Sequence, residues 1–165
     1  MLGVMVKEDV RLMTRSEVLE GLSRYFDVRE LVCRHVWGRF GNGSWDFFDT
    51  DLLRALLWLR LLVGRPVYIN NWVSGGVYDE RGLRCNMCGT VRSKGWCYMS
   101  MHIFGKAVDC TVDGMDAWSV RSLIMENADS LPCSIRLEDG VSWVHLDVRG
   151  GDSRSVPSVV LFKAS

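Results

Sequence analysis

The sequence predicts an α+β fold, a small, mostly antiparallel sheet packed against N-terminal and central helices. Three observations carry that expectation. The leucine-rich stretch Thr50–Val63 has Asp49 or Thr50 as a cap, Gly64 as a stop and Pro66 beyond, which is the punctuation of a helix. Residues 106–112 and 143–149 alternate with the period of two that strands impose, and Ile135–Glu138 and Val159–Phe162 read as shorter strands. Helical signals dominate the first half and strand signals the second, the order expected of α+β rather than of alternating units.

The elements follow in chain order. Residues 16–24 read as a short helix with Ser16 as N-cap and Val18, Leu19 and Leu22 on one side. A strand-like entry and a short helix are expected over 25–36, and a loop at Gly41-Asn42-Gly43-Ser44. The leucines of Thr50–Val63 wrap nearly all round, which marks a central buried helix. Arg54 and Arg60 interrupt it and it falls short of the ~20 residues a membrane span needs. Residues 67–71 should form a strand. Residues 116–128 read as an amphipathic helix capped by Asp116, with Ala117, Val120, Leu123 and Ile124 inward. Asp139-Gly140 signals a turn, 150–157 a polar loop, and Val159–Phe162 an edge strand.

Length and charge bound the rest. A chain of 165 residues fits one domain, 1–165, able to bury roughly 70% of its unfolded surface. Twenty basic and twenty acidic residues cancel, so no long-range field argues for nucleic acid or an anionic membrane, and a monomer is expected. Residues 1–13 lack the features of a signal peptide, so the chain is expected in the cytoplasm as synthesised. Its six cysteines are then expected as reduced thiols. Cys85 and Cys88, with Cys97 nearby, suggest a structural zinc, but supply three ligands where such a site needs four.

Two of the three histidines sit beside a carboxylate. Val144, Leu146 and Val148 alternate with Trp143, His145 and Asp147, so a strand here buries the first set and aims an imidazole and a carboxylate into one space. His102 precedes the 106–112 strand across Gly105, which supplies a bend turning the imidazole toward Asp109. With the strands side by side, His102, Asp109 and His145 offer two nitrogens and one oxygen around a point. Three ligands with an open fourth position are the catalytic form of a zinc site; the alternative is a pair of hydrogen-bonded, partly buried histidines. His35 has no carboxylate at ligand spacing and reads as structural or surface.

Ser100, His102, Gly105, Ala107 and Asp109 form Ser-x-His-x-x-Gly-x-Ala-x-Asp, followed by Trp-Val-His-x-Asp at Trp143 to Asp147. This pair of motifs resembles the signature of the zinc D-alanyl-D-alanine carboxypeptidase and L-alanyl-D-glutamate endopeptidase family, which includes many phage endolysins and to which hedgehog domains are similar. Upstream segments, among them Pro66 to Trp72 and Gly82-Leu83-Arg84, fall in the family's order. The resemblance covers about 24–150, leaving 1–23 as an N-terminal extension.

The resemblance implies zinc held by His102, Asp109 and His145, and a peptidoglycan stem peptide as substrate. It implies that Arg84 steadies that substrate, where the alternative is a surface arginine. Many relatives carry an acid three residues before the last histidine; here that residue is Ser142. Glu138 is the replacement expected as general base, with Asp139 the runner-up. Asp147 is expected to orient a ligand histidine, Ser100 to bond within the site or cap a turn, and Trp143 to wall the cleft or pack as an ordinary aromatic. The departure at Ser142 keeps a second expectation open, a zinc-binding wall or structural module without catalysis. To reach the wall, a chain without an export signal would be released at lysis, ride on a virion, or act in cytoplasmic peptide recycling.

Overall fold

The structure, a computed structural model, describes residues 9–149 and 156–163. The opening residues 1–8 and most of the expected 150–157 loop lie outside the described residues. Helix α1 (Arg15–Ser23) takes Thr14 as its N-cap, two residues before the expected Ser16, because Thr14 and Glu17 cap each other reciprocally. Thr14 N donates to Glu17 Oε2 at 2.7 Å, so the box satisfies two helix-end donors where a Ser16 cap satisfies one. Val18 and Leu22 are fully buried, and a Cβ on Gly21 would stand 2.8 Å from Leu57 Cδ2, so the N-terminal segment is built into the main core.

Residues 25–33 hold a 3-10 turn (Val28–Glu30), and the strand-like part of the entry is confined to an isolated parallel bridge of Val32 with Leu83, before helix α2 (Arg34–Phe40). The glycine-containing segment after it coils as a 3-10 stretch, Gly41–Phe47, where a plain loop is expected. Helix α3 (Thr50–Val63) has the expected bounds: the Asp49 carboxylate accepts from Asp51 N at 2.8 Å, and Gly64 closes it at φ 62°. Leu52, Leu53, Leu56, Leu57 and Leu59 are buried, while Leu61 near the end is exposed, so the apolar wrap is less complete than the sequence suggests.

Strand β1 is only Val67–Tyr68, shorter than the expected 67–71. The reason is Asn70, which is buried and leaves the ladder to join three segments. Its N–H donates to Glu30 O, its Nδ2 to Val32 O at 3.1 Å, and its Oδ1 accepts from Arg81 N at 2.9 Å. A long turn-rich stretch with one four-residue helix, α4 (Gly89–Arg92), leads to β2 (Ala107–Val112), α5 (Ala117–Glu126), β3 (Ile135–Glu138), β4 (Val144–Asp147) and β5 (Val159–Phe162).

The sheet order is β1-β2-β4-β3-β5. Three pairings are antiparallel, but β5 runs parallel to β3, with Ile135 opposite Val159 and Glu138 opposite Phe162. The sheet is therefore mixed, with β5 on the expected edge. On α5 the inward residues are Ala117, Val120, Arg121 and Ile124; Arg121 takes the deeper position expected of Leu123. Its guanidinium donates to the carbonyls of Glu138, Val141 and Trp143, fixing the β3–β4 connection that leads into His145.

Candidate functional site

Asp109 and His145 are direct partners across the β2–β4 ladder, so the alternation that buries Val108, Leu146 and Val148 brings the carboxylate and the imidazole to the same sheet face. His102 is not on a strand but in a turn just before β2. Gly105 makes that turn at φ 64°, and its carbonyl accepts from Asp49 N at the start of α3. A Cβ there would lie 2.0 Å from Phe47 O, so only glycine lets the turn sit this close to α3. The expected bend is realised: His102 Nε2 stands 3.4 Å from Asp109 Oδ2.

Each imidazole shows one nitrogen to the shared carboxylate and gives the other to a support. His145 Nδ1 lies 2.7 Å from Asp109 Oδ1 and its Nε2 lies 3.1 Å from Asp147 Oδ2. His102 Nδ1 lies 2.9 Å from Gly82 O, leaving Nε2 toward Asp109. Asp147 is fully buried and clamped by Arg136, which donates from Nε and Nη2 at 2.8 Å each, the forked geometry of a bidentate pair. Asp147 thus orients His145, as the sequence suggests. Ser100 works one step away, its Oγ accepting from His102 N at 3.3 Å, so it caps the turn.

Electrostatics divide the two histidines. Burial, the largest influence on His102, pushes its pKa down and favours the neutral ring. Burial also acts to lower His145, but hydrogen bonds to Asp109 and Asp147 outweigh it and raise this pKa to about 9. Burial acts to raise Asp109, yet the hydrogen bonds from both histidines prevail and hold the carboxyl well below its usual range. A divalent ion would replace the proton that otherwise binds these groups together.

One nitrogen of each of His102 and His145 and an Asp109 oxygen all lie within 4.8 Å of one another, so the three could hold a metal ion. Arg84 donates from Nη2 to Asp109 Oδ2 at 3.0 Å and from Nε to Glu80 O, so it sits against the carboxylate and is no free surface arginine. Glu138 ends β3, where Arg136 pairs with Asp147 and Leu137 with Leu146; continuing that register places Glu138 opposite His145 on the same face. Asp139 is exposed and its N–H donates to Phe162 O at 2.7 Å. Ser142 is exposed. Trp143 is half-buried, and its Nε1 has no hydrogen-bond partner among the described residues. A depression of about 400 Å³ lined by Tyr25, Phe26, Asn42 and Trp45 contains none of these groups.

A second group could also hold a metal ion: Cys33, His35, Cys85 and Cys88. The sequence points to Cys97 as the third ligand, but Cys97 is exposed and outside this group. Cys33 and His35 fall in this group instead; His35 is exposed, as a surface reading expects, with its Nδ1 3.9 Å from Cys88 Sγ. Their signal in the sequence is a Cys-x-His at the start of a helix, which has no visible link to Cys85 until the chain folds. Asn70 and Arg136 likewise carry no signal in the sequence, whereas Arg121 shows one as a charge on the apolar side of α5.

The fold and site define an α+β protein with a five-stranded mixed sheet carrying a candidate metal-binding cluster. Comparison with known proteins adds no family to that description: no family model, no curated protein and no solved structure matches the chain. Among the described residues no helix is long and apolar enough to cross a membrane.

Proposed function

We propose that the protein is a zinc metallopeptidase that hydrolyses a peptide bond of the bacterial peptidoglycan stem peptide, of the D-alanyl-D-alanine carboxypeptidase or L-alanyl-D-glutamate endopeptidase type. The observation that carries this reading is the convergence of His102, Asp109 and His145, with Asp147 supporting one imidazole and a backbone carbonyl the other. Two imidazoles and one carboxylate fit zinc in its catalytic form, because they leave a coordination position for water and substrate. When bound there, zinc supplies a water that ionises near neutral pH and polarises the scissile carbonyl.

The chain's own residues account for the rest. Glu138, on the metal face of β3, takes the proton of the attacking water and returns it to the leaving amine. Glu138 is half-buried at the end of that strand. Asp139 is less suited because it is exposed beyond the strand end. Arg84 places a cation beside Asp109, a charge suited to attract a substrate carboxylate of the kind that stem peptides carry.

One observation favours a second reading. The position that carries an acid in many similar enzymes is the exposed Ser142, which suits a zinc-binding wall or structural module without catalysis. Digesting purified muropeptides with the zinc-replete protein, with and without a chelator, separates the two. Mass spectrometry should show chelator-sensitive loss of terminal alanine or cleavage after the first alanine. Intact muropeptides in the zinc-replete arm would favour the inactive module.

A further inference from the structure

Two segments far apart in the sequence meet beside the candidate metal centre. The Val32–Leu83 bridge runs parallel, with Leu83 N donating to Leu31 O at 2.7 Å and Cys33 N to Leu83 O at 3.0 Å. Gly82 allows this approach, since a Cβ there would lie 1.9 Å from Leu31 O. The bridge brings Cys33, the N-cap residue of α2, and His35 in its first turn against the Cys85-Asn86-Met87-Cys88 turn. Cys88 in turn precedes α4, whose first amides donate to the Glu80 carboxylate at 2.6 and 2.9 Å.

Three of the six donor–donor spacings lie near those of a tetrahedral ion, and all six fall within 4.8 Å. Zinc–sulfur bonds of ~2.3 Å set at tetrahedral angles separate two sulfurs by ~3.8 Å. Here Cys33 Sγ and Cys85 Sγ are 3.8 Å apart, Cys85 Sγ and Cys88 Sγ 3.9 Å, and Cys88 Sγ and His35 Nδ1 3.9 Å. Disulfides do not account for the group, because a sulfur–sulfur bond is ~2.05 Å long and three cysteines cannot all pair. Two backbone amides already point at sulfur: Cys85 N donates to Cys88 Sγ at 3.3 Å and Met87 N to Cys85 Sγ at 3.4 Å. Such N–H donors stabilise metal-bound thiolates.

We propose that Cys33, His35, Cys85 and Cys88 form a second, closed zinc site whose role is structural. Three thiolates and one imidazole complete the four ligands of a structural zinc and leave no position for substrate. The site fastens the long 71–99 stretch to the start of α2. It lies next in sequence to Arg84, and Gly82 is the residue whose carbonyl bonds His102 Nδ1. The closed zinc thereby holds the two contacts that this stretch makes with the His102, Asp109 and His145 group.

The test is metal content of the full-length, reduced protein after exhaustive dialysis, with cobalt substitution to reveal thiolate ligands. The proposal expects two zinc equivalents per chain and a near-ultraviolet thiolate-to-cobalt band. A Cys85→Ser/Cys88→Ser variant should lose one equivalent and the band. A His102→Ala/His145→Ala variant should lose the other equivalent and keep the band. Should the cysteine variant fail to fold, His35→Cys provides a check, since a fourth thiolate should keep both equivalents and strengthen the band. A single equivalent with the band upholds this site and removes the ion from the histidine–aspartate group. A wild-type protein with no thiolate-to-cobalt band, or with zinc content unchanged by the cysteine substitutions, overturns the proposal.

Discussion

His145 Nδ1 lies 2.7 Å from Asp109 Oδ1, directly across the β2–β4 ladder, while Asp147 holds the other nitrogen of the same ring. The ring orientation is therefore set by the sheet before any ion binds. His102→Ala or His145→Ala should release the ion of this site and abolish hydrolysis. Asp147→Asn should weaken zinc affinity about 10- to 100-fold, because an orienting partner has been removed rather than a ligand. Competition against a chromogenic chelator measures both effects.

Glu138 is expected to act on protons and not on the metal. Glu138→Gln should keep the bound zinc and the fold while turnover falls by about 10²- to 10⁴-fold. Zinc analysis and kcat on one preparation check this. Full activity in the variant would move the base elsewhere, with Asp139→Asn the next substitution to make.

The pKa of His145 gives the metal-free protein a defined pH response. Its folded value, about 9, lies above the usual 6.5, so its stabilisation is fully present below about pH 6.5 and is lost as pH rises through about 9. The effect is on the order of 3 kcal/mol. Zinc needs the neutral ring, so zinc affinity of the His102, Asp109 and His145 group should rise toward pH 9, with about one proton released from His145 per ion bound there near pH 7. Calorimetric titrations in buffers of different ionisation enthalpy count that proton.

Gly105 holds a left-handed turn against Phe47 O, with no room for a side chain. Gly105→Ala should cost at least about 1–3 kcal/mol and displace His102, lowering zinc affinity as well as stability. Gly38, inside α2 with open space around it, is the contrast: Gly38→Ala should stabilise by about 0.5–1 kcal/mol. Thermal unfolding and zinc titration of the two variants test the pair.

Local chemistry was legible in the sequence and long-range pairing was not. The bounds of α3, β3 and β5 follow from caps, stops and alternation within a few residues, and the structure keeps them. The candidate metal-binding face was legible because alternation alone puts His145 and Asp147 on one side, and Gly105 signals the bend before Asp109. The parallel docking of β5 and the early end of β1 depend on partners elsewhere in the chain, Asn70 above all, whose bonds reach Glu30, Val32 and Arg81. The link from Cys33 and His35 to Cys85 rests on the Val32–Leu83 bridge, which no periodicity announces.

The central claim is that His102, Asp109 and His145 bind one divalent ion and leave part of its coordination open. Anomalous X-ray scattering at the zinc edge from crystals of the zinc-loaded protein tests it most directly. The account predicts a peak bonded to one nitrogen of each histidine and an Asp109 oxygen, with water completing the shell. A map without density between those three residues, or with a fourth protein ligand closing the ion off, would contradict it.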